Sequence, residues 1–183
     1  MLENETMGER DRQSALPDLT LRRPDGGLSF DWWRQAHAEQ LRLCAELEAI
    51  ADSLPSNVDR RKCIAAAKAL GPVIGGLHRY EEAVLFPELE ISPDAKDLAR
   101  TIARLKVEHC EDEGFADELA ERLQLLGAGA GSINMEATGY MLRGFFEAVR
   151  RHIAFEREHL LEPLSARNWA LRGGDLQPPA NSD

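Results

Sequence analysis

The sequence predicts an all-α chain folded as an up-down-up-down four-helix bundle. Three observations lead there. Four long segments carry apolar residues at helical spacing, clusters of Pro and Gly cut the chain between them, and each segment places a histidine within its apolar stripe. No strand-like alternation competes with these patterns, and the short connections favour antiparallel neighbours.

Residues 1–28 mix Glu, Arg, Ser, Pro and Gly without apolar periodicity and read as a disordered or loosely attached N-terminal segment. A similar Gly and Pro composition marks 171–183 as a flexible tail, leaving 29–170 as the bundle. Helix one carries Phe30, Trp33, His37, Leu41, Cys44, Leu47, Ala51 and Leu54; helix two carries Ile64, Ala67, Gly71, Ile74, His78, Glu82, Leu85 and Leu89. Helix three follows Leu98, Ile102, Leu105, His109, Ala116, Leu119, Leu123 and Leu126, and helix four follows Thr138, Leu142, Phe145, Val149, His152, Glu156 and Leu160. Ser56 or Asn57, Ser92 followed by Pro93, and Ser132 are the candidate caps of helices two, three and four. Gly71-Pro72 and Gly75-Gly76 interrupt helix two, where proline removes an intrahelical hydrogen bond and each glycine costs about 1 kcal/mol. A kink is expected there, either fitting the helix around its neighbours or opening a channel beside a site.

The 183 residues suffice for one domain with a substantial core and no need of disulfides. With 32 acidic against 22 basic residues and a net charge of -10, nucleic acid and anionic membranes are disfavoured as partners. No apolar run approaches the roughly 20 residues needed to cross a bilayer, and the first 28 residues lack a signal-peptide pattern, so the cytoplasm is expected. Cys44, Cys63 and Cys110 have no C-x-x-C spacing and read as reduced thiols. No nucleophile with its base, phosphate-binding glycine loop or nucleotide fingerprint is present, which disfavours hydrolases and nucleotide enzymes.

Four of the five histidines lie in the apolar stripes, one per helix. Together with Glu82 and Glu156 they would incur a desolvation cost of several kcal/mol unless something cationic compensates them. His78 and His152 are each followed four residues later by a carboxylate, Glu82 and Glu156, and that spacing stacks both side chains on one helix face. Imidazole with carboxylate suits iron, manganese or zinc. A structural zinc needs four ligands, whereas six candidates converge here, two of them able to bridge, so two metals fit better than one. Counted from the intervening turns, the histidines fall in one layer to within about one helical turn, with His37 and His78 offset somewhat more. The bundle is therefore expected to carry a metal site in its core.

The order His37, His78-x-x-x-Glu82, His109, His152-x-x-x-Glu156, with Glu81-Glu82-Ala83-Val84-Leu85-Phe86-Pro87 after the second histidine, resembles the hemerythrin-like, cation-binding HHE family from about Asp31 to Pro163. The resemblance implies two carboxylate-bridged, non-haem iron ions, with manganese or zinc as lesser alternatives. It makes His37, His78, His109 and His152 terminal ligands, and Glu82 and Glu156 bridges. It also implies a small oxidant as the partner: dioxygen, peroxide or nitric oxide is bound or reduced. Oxygen-carrying members have a second histidine four residues after the first on helix three, where this chain has Glu113. Glu113 either coordinates or belongs to the solvated run Glu111-Asp112-Glu113.

His159 completes a Glu-x-x-His with Glu156, half of the ferritin-like di-iron signature, but no second copy exists. It is either a boundary residue near Pro163 or an alternative ligand. Glu81 and Glu108 lie beside core positions and are read as solvated, with Glu108 able to orient His109 or a neighbour. Tyr80, Trp32 and Trp33 are read as packing residues. The alternative function is a metal- or oxygen-responsive bundle without turnover, acting through an unknown redox or regulatory protein partner.

Overall fold

The structure, a computed structural model, describes residues 28–131 and 133–165. The N-terminal segment before Leu28, the candidate cap Ser132 and the tail lie outside the described residues. The helices are α1 (Phe30–Ser53), α2 (Arg60–Tyr80), α3 (Phe86–Glu90), α4 (Ala95–Ala128) and α5 (Met135–Glu156). A π-helical turn, Glu81–Leu85, joins α2 to α3, and a second, Arg157–Leu161, extends α5. The α2–α3 segment thus forms the second of four bundle helices. Among the described residues there is no strand, and no helix is long and apolar enough to cross a membrane.

The helix ends follow from side chains that satisfy otherwise orphaned backbone groups. Ser29 Oγ accepts from the Trp32 amide, and Asp59 Oδ1 accepts from the amides of Arg61 and Lys62 at 3.0 and 3.1 Å. Asn134 Oδ1 accepts from the Ala137 amide at 2.9 Å. The caps of α2 and α5 therefore sit two residues or more beyond the expected Ser56 or Asn57 and Ser132. The intervening turns are longer, and a downstream Asp or Asn supplies the acceptor. Ser92 Oγ bonds back to the Leu89 carbonyl, closing α3 rather than opening α4, whose N-cap position Asp94 makes no side-chain cap bond. Gly129, at φ +76°, ends α4 in the left-handed conformation that favours glycine.

α2 packs on α4, α1 on α5 and α2, and α4 on α5, closing the bundle. α2 runs unbroken through Pro72; the departure from α geometry comes later, at Glu81. The apolar interior forms two clusters. One contains Leu43, Leu47, Leu70, Ile74, Leu119, Leu123, Leu142 and Phe145; the other contains Trp33, Leu77, Leu85, Phe86, Leu105 and Leu160. In every long helix a buried histidine lies near the passage from one cluster to the other. Leu41 and Ile64, expected in the stripes, lie at their edges with 37% of their surface exposed.

The α2–α4 seam depends on Gly127, where an added Cβ would overlap the Ile64 side chain and press on the Arg60 carbonyl. Gly127→Val should therefore destabilise the fold by about 1–3 kcal/mol through overpacking. Gly114→Ala, with nothing within 4 Å of the added carbon, should stabilise it by about 1 kcal/mol. Urea unfolding of both variants would show whether the two changes have opposite signs.

Candidate metal centre

Helical geometry explains which carboxylates reach the interior. Successive residues advance by about 100°, so a residue three positions on returns about 60° short of the start and one four positions on overshoots by about 40°. On α2 the buried face at this level is carried by Leu77 and His78. Its middle lies on the Leu77 side of His78, where Glu81 falls and Glu82 does not. On α5 the corresponding pair is His152 and Ile153, so the middle lies on the other side of the histidine, where Glu156 falls. Each carboxylate occupies the centre of its helix face, and each immediately precedes or begins a π-helical turn, a distortion common at functional sites.

The inward groups form two triads, His78 with His109 and His152, and His37 with Glu81 and Glu156. All six side chains are buried, and in each triad one ligand atom per residue lies within 4.8 Å of the others. The two carboxylates connect the triads. Glu156 Oε2 is 2.9 Å from His37 Nε2, while its Oε1 is 3.4 Å from His152 Nε2 and 3.9 Å from His109 Nε2. Glu81 Oε1 is 3.9 Å from His37 Nε2 and its Oε2 is 3.3 Å from His109 Nε2. Each carboxylate thus turns one oxygen to each half of the cluster. Trp33, wholly buried, donates from Nε1 to Glu81 Oε1 at 2.5 Å, and the His78 and His109 rings stack with centroids 3.9 Å apart.

The expected six positions were His37, His78, Glu82, His109, His152 and Glu156; the structure brings five of them together and puts Glu81 in place of Glu82. Glu82 has a half-exposed side chain and points its Oε1 at the outer nitrogen, Nδ1, of His109, 2.9 Å away. Glu113 likewise stays outside the cluster, 3.1 Å from His78 Nδ1. His159 is exposed, stacks on Phe155 and bonds to its carbonyl, away from the centre. Glu108 meets His152 Nδ1 at 3.1 Å rather than His109. Tyr80 packs on Trp32, and its hydroxyl accepts from the Ser29 amide at 2.7 Å. Glu81 and Trp33 are the participants that histidine spacing alone does not reveal. Aligning the two halves on their carboxylates does reveal Glu81: Leu85 and Phe86 follow it at the same distances as Leu160 and Leu161 follow Glu156, and all four are buried.

The donor set fits a cation. His109 Nε2, His152 Nε2, Glu81 Oε2, Glu156 Oε1 and His37 Nδ1 are buried without a hydrogen-bond partner, and the first four face one another across the cluster. Buried polar atoms of this kind are costly unless something compensates them.

Fold and site together define a helical bundle with a core cluster able to hold metal ions. The sequence model for the hemerythrin HHE cation binding domain matches residues 28–164. The chain belongs to that family. Searches of curated proteins and of solved structures returned no significant match.

Burial and the positive charge of neighbouring His109 and His152 push His78 down to about 2. Burial would also depress His109, but the carboxylates of Glu156 and Glu81 outweigh it and push this group up to about 10. Glu156 is held well below the usual carboxylate range: burial opposes ionisation, but His109, His152 and His37 overcome it. Glu81 is raised by burial and by Glu156. In metal-free protein His109 binds its proton more tightly folded than unfolded. Its stabilisation is complete below its ordinary value of 6.5 and lost as pH rises toward about 10. His78 does the opposite, stabilising above 6.5 and losing that contribution as pH falls toward about 2. Melting temperatures of metal-stripped protein should therefore fall on both sides of pH 6.5, with the alkaline loss diminished in His109→Gln and the acid loss diminished in His78→Gln.

Proposed function

We propose that this chain holds two metal ions side by side, iron by preference, and that the pair binds or reduces a small oxidant such as dioxygen, peroxide or nitric oxide. The observation that carries this reading is the arrangement of Glu81 and Glu156, each with one oxygen toward His37 and the other toward the histidine triad. A single ion needs no such pair of two-faced carboxylates, whereas two ions in adjacent positions would each find an oxygen from both. One half would be held by His78, His109 and His152 with an oxygen from each carboxylate, the other by His37 with the remaining oxygens. Imidazole and carboxylate donors suit iron, with manganese and zinc as alternatives.

When bound, a pair of iron ions would supply an electron from each metal and a coordination position for a small ligand. The chain supplies fixed donors on four helices, apolar clusters that keep bulk water out, and Trp33, which orients Glu81 through its indole N–H. The His37 half has fewer protein donors. Beside it lies a cavity of about 310 Å³ lined by Arg34, His37, Ala38, Leu41 and Leu161, a volume that would hold a diatomic molecule or peroxide.

Metal analysis after anaerobic iron loading tests the reading. Wild type should retain about two irons per chain and show an absorption band that changes between reduction and exposure to air. Glu81→Ala and Glu156→Ala should lose that stoichiometry, while Glu82→Ala, at saturating metal, should keep it. No iron uptake by wild type, or loss in Glu82→Ala with retention in Glu81→Ala, would overturn the assignment.

A further inference from the structure

Three of the four buried imidazoles share a second feature: the nitrogen facing away from the cluster meets a carboxylate. His109 Nδ1 lies 2.9 Å from Glu82 Oε1, His78 Nδ1 lies 3.1 Å from Glu113 Oε1, and His152 Nδ1 lies 3.1 Å from Glu108 Oε2. We propose that Glu82, Glu108 and Glu113 are positioning residues, each fixing the Nδ1 edge of a different histidine so that its Nε2 is aimed at the metal centre. The inference rests on the metal-binding reading above and adds to it three residues that touch no metal.

The chemistry follows from the imidazole ring. Neutral histidine carries one N–H and one lone pair, and whichever nitrogen donates a hydrogen bond leaves the other free to ligate. A carboxylate accepts but cannot donate, so one placed on Nδ1 locks the proton there and presents the Nε2 lone pair inward. The partial negative charge it shares with the ring also makes the inner nitrogen a stronger donor.

The surroundings are arranged for these contacts. The three carboxylates lie on the outer side of the histidines, with side chains 46%, 25% and 46% exposed for Glu82, Glu108 and Glu113, whereas Glu81 and Glu156 are wholly buried. Glu108 is itself held by Arg104, whose Nε donates to Oε1 at 2.6 Å and leaves Oε2 for His152. Glu113 lies against the Gly75 backbone, where an added Cβ would stand 3.4 Å from its Oε1, an ordinary contact, and 3.0 Å from Arg79 Nη1. Glu113, outside the cluster, thus acts through His78 rather than as a ligand. His37 is the exception, since its Nε2 meets Glu156 and its Nδ1 has no partner.

Cobalt(II) serves as the probe because its ligand-field spectrum reports binding without turnover. Glu82→Ala, Glu108→Ala and Glu113→Ala should each weaken cobalt affinity by about 10–100-fold, while Glu111→Ala, an exposed neighbour on α4, should not. Glu113→Gln, whose amide oxygen still accepts, should recover part of the loss. In zinc-loaded wild type, nitrogen-15 NMR should place the ring proton of His78, His109 and His152 on Nδ1, and each Ala variant should disturb that signal at its own histidine alone. Wild type that binds cobalt with unchanged affinity in all three Ala variants would overturn the proposal. So would zinc-loaded wild type with these rings protonated on Nε2, a result independent of whether any variant folds. Wild type that binds neither cobalt, zinc nor iron would overturn the metal-binding reading itself, and this proposal with it.

Discussion

Placing four imidazoles and two carboxylates in one layer of a helical core is the constraint on which the rest of this structure depends. Such groups lose their hydration on burial, and the cost is tolerable only if they compensate one another or share a cation. Because every long helix contributes to the layer, the helices must meet at a common level. The apolar residues above and below then pack as two separate clusters rather than one continuous core. The ordinary hydrophobic bundle thus acts as a rigid holder for an internal polar plane.

Within that plane, position is decided by angle more than by residue type. Glu81 and Glu82 are chemically identical neighbours, yet one is wholly buried between two histidines and the other reaches only the outer edge of a ring. The apolar residue beside each histidine marks where the buried face is centred: Leu77 precedes His78, and Ile153 follows His152. This single difference exchanges an i+3 carboxylate for an i+4 carboxylate while leaving both in equivalent places.

The bundle was legible from residue spacing because burial on one face imposes a period that survives in sequence. The histidines were equally legible, since an imidazole inside an apolar stripe stands out by its cost. Glu81 is hidden because aligning the two His-x-x-x-Glu repeats on their histidines selects Glu82; aligned on the buried pairs Leu85-Phe86 and Leu160-Leu161, the repeats select Glu81 and Glu156. The caps are ambiguous in sequence because several Ser, Asp and Asn residues compete in each turn, and only the folded path shows which one reaches an open amide. The contacts of Glu82, Glu108 and Glu113 with histidines depend on pairings between helices, which spacing along one helix does not encode.

The two π-helical turns give the chain a particular tolerance to change. Each widens the helix just beyond a central carboxylate, so that the hydrophobic residues four and five positions later both turn inward. Amino-acid exchange at the outward positions Ala83 or Glu158 leaves that spacing intact. Loss of a single residue between Glu81 and Leu85 would close the wide turn to an ordinary α-helical one, with Leu85 and Phe86 then three and four positions after Glu81 and still on its side of the helix. Each stretch thus carries one residue more than an α-helical turn needs while keeping the residues beyond it facing the core.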